Sequence, residues 1–534
     1  MSVLSETLAL GRFLWGLPGY HRWRITSTEA RAIVRERIRR REANFLGLLE
    51  RFVFGNRANP YARLLELARC QPGDVRQLVE QDGVDAALRR LREAGVYLSF
   101  EEFKSTGPIV RQGVVVAEGP DAFVNPTSRG FYRTETGGST GSGRQVQIDI
   151  EHLVSRVPHR LLSDAIHGML GLPSALWFEP LPGNGPQSIL LRAPFDAVPQ
   201  RWFAPILAGP GSPPLKYRLA NRAIVAASRV AGIPFPRPEY VPLDRADIVA
   251  QWAATMVRSH GGAAVFTHPS KAVRVALAAR ERGLDLTGTV FSGGGEPVTH
   301  AKVAEIERAG ARFVSGYIAM ETGTIGMQCA RATDPNDQHF FRDHLAVIQH
   351  PREIPAFGVT VDTFHFTTLL PSSPRLLLNV ELDDYGVIES RSCGCGFEQL
   401  GFSEHISDIR SFRKLTGEGM TLVGTEVDRI LEAEMPTHCG GSGLDYQLVE
   451  EEDERGLTRL VLTVSARVPA SEEVLHRTML DALARGSTAA ALAGAIWAQG
   501  SNLLVRRAEP EWTQRGKRPL FRPLRRRDPG GERP

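Results

Sequence analysis

Apolar and polar positions change their spacing twice along this 534-residue chain. From residue 22 to about 105 the apolar residues recur three or four apart. Glu29 to Phe54 is rich in Arg, Glu, Leu and Ala, and Pro60 opens a second run with proline in its first turn, so this region is expected to be helical. From about 108 the pattern shortens to β-rich runs (Ile109 to Ala117, Gln145 to Ile150, Ser188 to Arg192) separated by glycine and proline. Gly261 to Ser270 reads as a buried strand leading through Pro269 into a helix, Lys271 to Arg282. A strand at Thr289 to Phe291, a helix at Thr299 to Ala309 and a strand at Arg312 to Val314 follow. This alternation predicts an α/β fold with a largely parallel sheet covered by helices. Ligands of such sheets sit beyond the C-terminal ends of the strands. After about 416 the spacing is mixed: Gln447 to Glu450 and Leu460 to Val468 alternate like strands, and Ser471 to Ala484 is an amphipathic helix. The basic tail 521–534 reads as disordered.

Composition narrows the class. The length allows several domains. Apolar content of 42% and charged content of 23% are ordinary for a globular protein. The net charge of +4 is too small for general nucleic-acid binding. Five cysteines do not make a disulfide framework in a chain this long and point to a reducing compartment, with the cytoplasm as default. No apolar run reaches membrane-spanning length, and the apolar N-terminus, interrupted by Arg12, lacks the basic start of a signal peptide. Nearly all basic residues are arginine. The six lysines are Lys104, Lys216, Lys271, Lys302, Lys414 and Lys517, so any chemistry that needs a lysine must use one of these.

The densest chemistry lies at Thr134 to Arg144 (Thr-Glu-Thr-Gly-Gly-Ser-Thr-Gly-Ser-Gly-Arg), between Phe131-Tyr132 and the alternating run from Gln145. Glycines let successive N–H groups turn toward one point and hydroxyls add donors, which suits a phosphate. Gly138 and Gly143 have the spacing of a Walker A loop, but Arg144 and Gln145 stand where its lysine and Mg²⁺-binding hydroxyl belong. Two further loops follow strands: Ser292-Gly-Gly-Gly-Glu-Pro297 and Ser315-Gly-Tyr-Ile-Ala-Met-Glu-Thr-Gly323.

Taken in order, these stretches resemble the motifs of the adenylate-forming enzymes, in particular phenylacetate–CoA ligase-like proteins. The resemblance implies that Thr136, Gly137, Gly138, Ser139, Thr140, Gly141 and Arg144 form the phosphate loop, with Gly143 and Arg144 replacing the family's proline and lysine. It implies that Gly294, Gly295, Glu296 and Pro297 lie along the adenine of ATP, that Tyr317 stacks on it, and that Glu321 binds Mg²⁺. An aromatic face suits a purine and a carboxylate is a hard ligand for that ion. Met320 replaces a hydroxyl residue of the family. Phe366-Thr-Thr-Leu369 matches a family strand, and counting forward from it makes Asp383 the ribose ligand, or Asp384 after one insertion. The hinge match at Arg413 to Met420 is poor, with Glu418 as the hinge acid and Arg413 or Lys414 as its partner. Glu511 to Lys517 resembles the family's terminal Gly-Lys motif, which makes Lys517 the catalytic lysine.

The same resemblance orders the chain as a helical N-terminal region (1–107), a large multi-sheet adenylation core (108–415), a small mobile α+β C-terminal domain (416–520) and the tail. It also implies a structural Zn²⁺ on Cys329, His339, Cys393 and Cys395. The alternative is reduced, buried cysteines plus a surface histidine. The expected activity is ATP-dependent, AMP-forming ligation: a carboxylic acid becomes an acyl-adenylate, and a thiol, foremost coenzyme A, displaces AMP. Transfer to a protein cysteine or a small amine is an alternative, and a degenerate nucleotide-binding regulator is another. The acid is expected to be aryl or fatty, bound by residues from 158–180, 260–270 and 290–320. No nucleic-acid partner or membrane span is expected, and the chain would act as a monomer or homodimer.

Overall fold

The computed structural model describes residues 3–522 except 57, 105–106, 136–144, 208–211, 333, 355–358, 412–413, 418–419, 424–426, 428, 487 and 512–520. Its centre is a twelve-stranded sheet. From one edge to the other the strands are Leu345–Ile354, Val359–Thr368, Val380–Ser390, Glu404–Ser411, Gln338–Phe340, Gly323–Gln328, Arg312–Ala319, Thr289–Gly294, Ala263–Thr267, Ser174–Trp177, Arg201–Ala204 and Pro238–Tyr240. The six from Arg312–Ala319 onward run parallel. The other six pair antiparallel. The expected parallel sheet is thus half of a mixed one, and the switch falls at Arg312–Ala319, which pairs in parallel on one side and antiparallel on the other.

Three buried apolar layers cover this sheet. Helices Ala246–His260, Pro269–Glu281 and His300–Glu307 cover the parallel half through Val249, Ala272, Val275 and Ile306. Helices Val3–Arg22, Ser27–Arg39 and Ile150–Ile166 cover the other face through Phe13, Val34, Leu153 and Leu161, which pack with Leu176, Trp202 and Phe266. Helices between Arg41 and Lys104 pack Phe45, Leu88 and Leu91 on Phe364, Phe366 and Val380 of the antiparallel half. Several helices have a sequence reason to begin where they do. Thr26 and Glu29 form a capping box before Ser27–Arg39, Asn59 caps the helix begun by Pro60, and Asp149 accepts from His152 N at 2.8 Å. The N-terminal residues are also tied to the sheet by backbone and side-chain hydrogen bonds. Leu98 bridges Val380 in parallel, and Asn379 donates to the carbonyls of Leu88 (2.8 Å) and Val96 (3.1 Å).

After Lys414 the chain forms a hairpin (Lys414–Gly417 with Met420–Val423) and then a four-stranded sheet around Tyr446–Glu452 and Thr458–Val464. Helices Glu472–Ala484 and Thr488–Gln499 complete this smaller unit. Its apolar residues Ile430, Leu448, Leu462 and Trp497 share one continuous core with Val275 and Ile306 of the larger part. Polar ties reinforce the seam: Lys302 Nζ donates to Thr458 Oγ1 at 3.0 Å, and Arg274 donates to Asn502 Oδ1 at 2.7 Å. Among the described helices none is long and apolar enough to cross a membrane.

Two local expectations are corrected. Ser188–Arg192 is not a strand: Gly185–Leu190 is a helix, begun by Gly185-Pro186, because proline at the first turn sets a helical φ and gives up an N–H the helix does not need. Ser315–Ala319 is not a loop either. The strand from Arg312 continues through it, reverses at Met320–Thr322, and returns as Gly323–Gln328.

Candidate active site

A cavity of about 270 Å³ lies where the parallel strands end. Its floor is Ser292–Gly295, Phe266 and His268, one wall is Ile318–Glu321 with Asp384, and the opposite wall is Phe178–Glu179 with Pro182–Asn184. Two glycines of the floor are required by close approach. A Cβ on Gly293 would sit 1.9 Å from the Thr267 carbonyl oxygen, and one on Gly294 1.9 Å from that of Gly316. The glycine run therefore lets three neighbouring strand ends meet with no side chain between them.

Glu321 sits in the tight reversal after Ala319 and is buried. Its Oε1 accepts from Lys104 Nζ at 2.8 Å. Burial alone would raise its pKa, but the Lys104 ammonium and its hydrogen bond override that and hold the carboxyl at about 2. Tyr317, three residues before Met320, donates its hydroxyl to Asp384 Oδ2 at 2.7 Å. Burial and then the Asp384 charge push the phenol well above its usual range. Neighbouring strand residues point to opposite faces, so only one of the two aspartates reaches the cavity. It is Asp384. Asp383, at φ 80°, accepts from Ser411 Oγ at 2.6 Å instead.

Gly294 and Gly295 line the cavity. Glu296 turns away from it: its carboxylate accepts from Ser270 Oγ at 2.8 Å and faces Lys302 Nζ at 3.8 Å. Lys302 also donates to the Pro297 carbonyl at 3.0 Å, so Glu296 and Pro297 brace the turn from behind. The phosphate-loop residues 136–144 lie outside the described residues. Their flanks do not: Phe131–Glu135 and Gln145–Asp149 pair antiparallel with Glu135 opposite Gln145. Arg413, Glu418 and Lys517 also lie outside, and Lys414 is on the strand Lys414–Gly417.

Several cavity residues carried no motif. Lys104 had no role in the sequence reading until the fold carried it to Glu321. Glu179 ion-pairs with the fully buried Lys271 and faces His268, whose Nδ1 lies 2.7 Å from the Gly294 carbonyl. Burial would raise Glu179, but Lys271 and His268 hold it at about 2. Arg156 and Arg160 come from one turn of Ile150–Ile166, and Arg192 follows Gly185–Leu190. Burial pulls the Arg192 guanidinium down to about 9 although Asp164 accepts from it at 3.0 Å. Burial, then Arg160, pulls Arg156 to about 10. The sequence signal was only the scarcity of lysine; in the fold Lys104, Lys271 and Lys302 are each buried with a carboxylate partner. The lining mixes apolar Phe178, Leu191, Phe266 and Ile318 with the polar and charged Arg156, Arg160, Gln187 and Arg192.

Away from this cavity, the ligand atoms of Cys329, His339, Cys393 and Cys395 lie within 4.8 Å of one another. His339 stands on Gln338–Phe340, which pairs with Gly323–Gln328 so that Met327 opposes His339, bringing Cys329 alongside. The loop from Cys329 to Asp337 takes up the long spacing between cysteine and histidine. His339 Nδ1 lies 2.7 Å from the Phe402 carbonyl, which leaves Nε2 facing Cys395 Sγ at 3.0 Å and Cys393 Sγ at 3.5 Å. Backbone N–H groups of Arg331, Cys395 and Phe397 donate to the three sulfurs at 3.3–3.4 Å, a pattern that favours thiolates. Three thiolates and one imidazole nitrogen fit tetrahedral Zn²⁺ with no open position.

No family model matches the sequence, and no curated protein matches it. Solved structures do. The fold is similar to that of 2-hydroxyisobutyryl-CoA ligase, solved with 2-HIB-AMP and CoA in the thioesterification state, at a TM-score of 0.52 and 16% identity over 91% of this chain and 90% of that one. Malonyl-CoA ligase, solved with methylmalonyl-CoA and AMP, gives 0.40 and 12% over 84% and 88%. The amide bond synthetase McbA from Marinactinospora thermotolerans gives 0.40 and 14% over 82% and 77%.

Proposed function

We propose, from a chain that has the fold of the adenylate-forming acyl ligases, that it activates a carboxylic acid with ATP and passes the acyl group to a thiol, foremost that of coenzyme A. The observation that carries this reading is the cavity at the strand ends. There Asp384, Glu321 and the Gly294–Gly295 floor share one lining with Lys104, Arg156, Arg160 and Arg192, and Tyr317 donates its hydroxyl to Asp384.

The chemistry has two balanced steps. A carboxylate oxygen attacks the α-phosphorus, the bond to the bridging oxygen breaks, and pyrophosphate leaves with that electron pair. A thiolate then attacks the acyl carbon and AMP leaves. In this reading Asp384 accepts from the ribose hydroxyls and Tyr317 presents its ring to the adenine, with its hydroxyl anchored on Asp384. Thr136 to Arg144 would wrap the phosphates, and Lys517 would neutralise the charge that grows between carboxylate and α-phosphate. Gly293 and Gly294 keep the floor free of side chains, so backbone approaches the nucleotide directly. Glu321 is the residue that would hold Mg²⁺, which supplies charge neutralisation on the phosphates. Lys104 beside it keeps the carboxyl ionised and competes for the same oxygen. Cys329, His339, Cys393 and Cys395 would hold Zn²⁺ as a structural brace.

The smaller C-terminal unit delivers Leu492 to the cavity lining and shares a continuous apolar core with the larger part. Rotation of this unit between half-reactions, as the family resemblance implies, would have to separate that seam.

The test separates the half-reactions. Lys517→Ala is expected to abolish pyrophosphate release from ATP and acid while sparing thioester formation from a supplied acyl-adenylate. Equal loss of both would remove Lys517 from the proposed role.

A further inference from the structure

The acid-binding side of the cavity contains more donors than one carboxylate uses. Arg160 lines it, and its guanidinium makes a long contact of 3.4 Å to Asp164 Oδ1. Asp164 is already engaged by Arg192 at 3.0 Å. Gln187 is 4% exposed and its Nε2 donor has no hydrogen-bond partner. Ser292 is 2% exposed and its Oγ is likewise unpartnered. Both residues line the same cavity. A buried amide N–H without an acceptor is costly, and buried guanidiniums lose hydration, so this set is stable only when an acceptor-rich, anionic group occupies it. An alkyl or aryl tail would leave the Gln187 amide and the Ser292 hydroxyl unmet.

We propose that the acid recognised here is a short dicarboxylate, its reacting carboxyl toward Glu321 and its second carboxylate held by Arg160, Gln187 and Ser292. This rests on the reading of the cavity as an acid-activating site. Arg160 is a specificity-determining residue, since it touches the far carboxylate and not the reacting atoms. Phe178, Phe266 and Leu191 flank the chain between the two ends.

The experiment pairs binding with turnover. Isothermal titration in the presence of a non-hydrolysable ATP analogue compares malonate, succinate and glutarate with propionate, butyrate, valerate, benzoate and octanoate. Pyrophosphate release is then followed with the same acids, for wild type, Arg160→Gln, Gln187→Leu and the surface control Arg218→Gln. One dicarboxylate should bind at least about tenfold more tightly than its monocarboxylate counterpart. Arg160→Gln should erase that preference by raising KM for the dicarboxylate with little change in kcat, and Arg218→Gln should leave it intact. Dicarboxylate binding lost in Arg160→Gln, without pyrophosphate release from any acid, would sustain the dianion site and refute acid activation. Pyrophosphate release with benzoate or octanoate, unaffected by Arg160→Gln, would sustain acid activation and overturn this proposal. Failure of every dicarboxylate to bind the folded wild type overturns it too.

Discussion

Lys104 Nζ lies 2.8 Å from Glu321 Oε1, joining the last helical turn of the N-terminal region to the reversal between two central strands. Both side chains are buried, so each depends on the other for its charge. Lys104→Met would leave a buried carboxylate without its nearest cation. The expected cost is on the order of 3–5 kcal/mol, as for one partner removed from a buried pair. Lys104→Met/Glu321→Gln should recover part of that loss while remaining inactive in pyrophosphate release. Denaturant titration of the two singles and the double measures the coupling, and additive losses would show that the contact is not an interacting pair.

Buried histidines set the acid limit of stability. Burial, assisted by Arg24, lowers His21 to about 4; burial with Arg312 lowers His167 to about 4; burial with Arg92 lowers His365 to about 3. In the unfolded chain these rings titrate near 6.5, so their contribution is complete above 6.5 and is lost as pH falls toward 4 and then 3. Glu179 and Glu321, both held at about 2, contribute fully above about 4.5 and fade only below it. The urea midpoint should therefore already fall between pH 6.5 and 4.5. A flat midpoint across that window would contradict the burial of these rings.

Zinc analysis of protein purified without chelators should give about one metal per chain, from the closed four-ligand set. Cys393→Ser should lower both metal content and Tm, whereas Cys70→Ser, remote from the set, should change neither. A metal-free wild type of undiminished stability would sink the site.

Gly294→Ala places a Cβ 1.9 Å from the backbone oxygen of Gly316, where no flexible side chain can move aside. It should cost at least about 1–3 kcal/mol. Gly47→Ala, on a helix with nothing within 4 Å of the added carbon, should instead stabilise by up to about 1 kcal/mol. Thermal unfolding of the two variants checks the contrast.

How legible the molecule was depends on the range of the interaction concerned. Helices with their own caps, such as the one begun by Asn59-Pro60, and the alternation from Ala263 to Ala319 are written in local spacing. Ser188–Arg192 was misread because Ile, Leu and Leu in succession satisfy a buried strand as well as a helix, and the deciding Gly185-Pro186 lies just upstream. Ser315–Ala319 was read as loop because the apolar strand pattern was taken to end at Val314, before Gly316. In the fold, Gly316 serves close strand contact instead. Asp383 and Asp384 could not be told apart by counting, since a one-residue slip exchanges faces. Lys104, Arg160, Gln187 and Lys271 belong to the site only because elements far apart in sequence converge there, and no local pattern encodes that convergence.

The central claim is that this cavity joins an acid to AMP. The most direct measurement is acid-dependent exchange of labelled pyrophosphate into ATP, which reports the reversible first step without any acyl acceptor. Wild type should exchange label only when an acid is present, most rapidly with a short dicarboxylate. Asp384→Asn and Lys517→Ala should each reduce exchange by a factor of about 100 or more, on the scale of a lost transition-state contact. Absence of exchange with every dicarboxylate, aryl and fatty acid, in folded protein that binds ATP, would contradict the account.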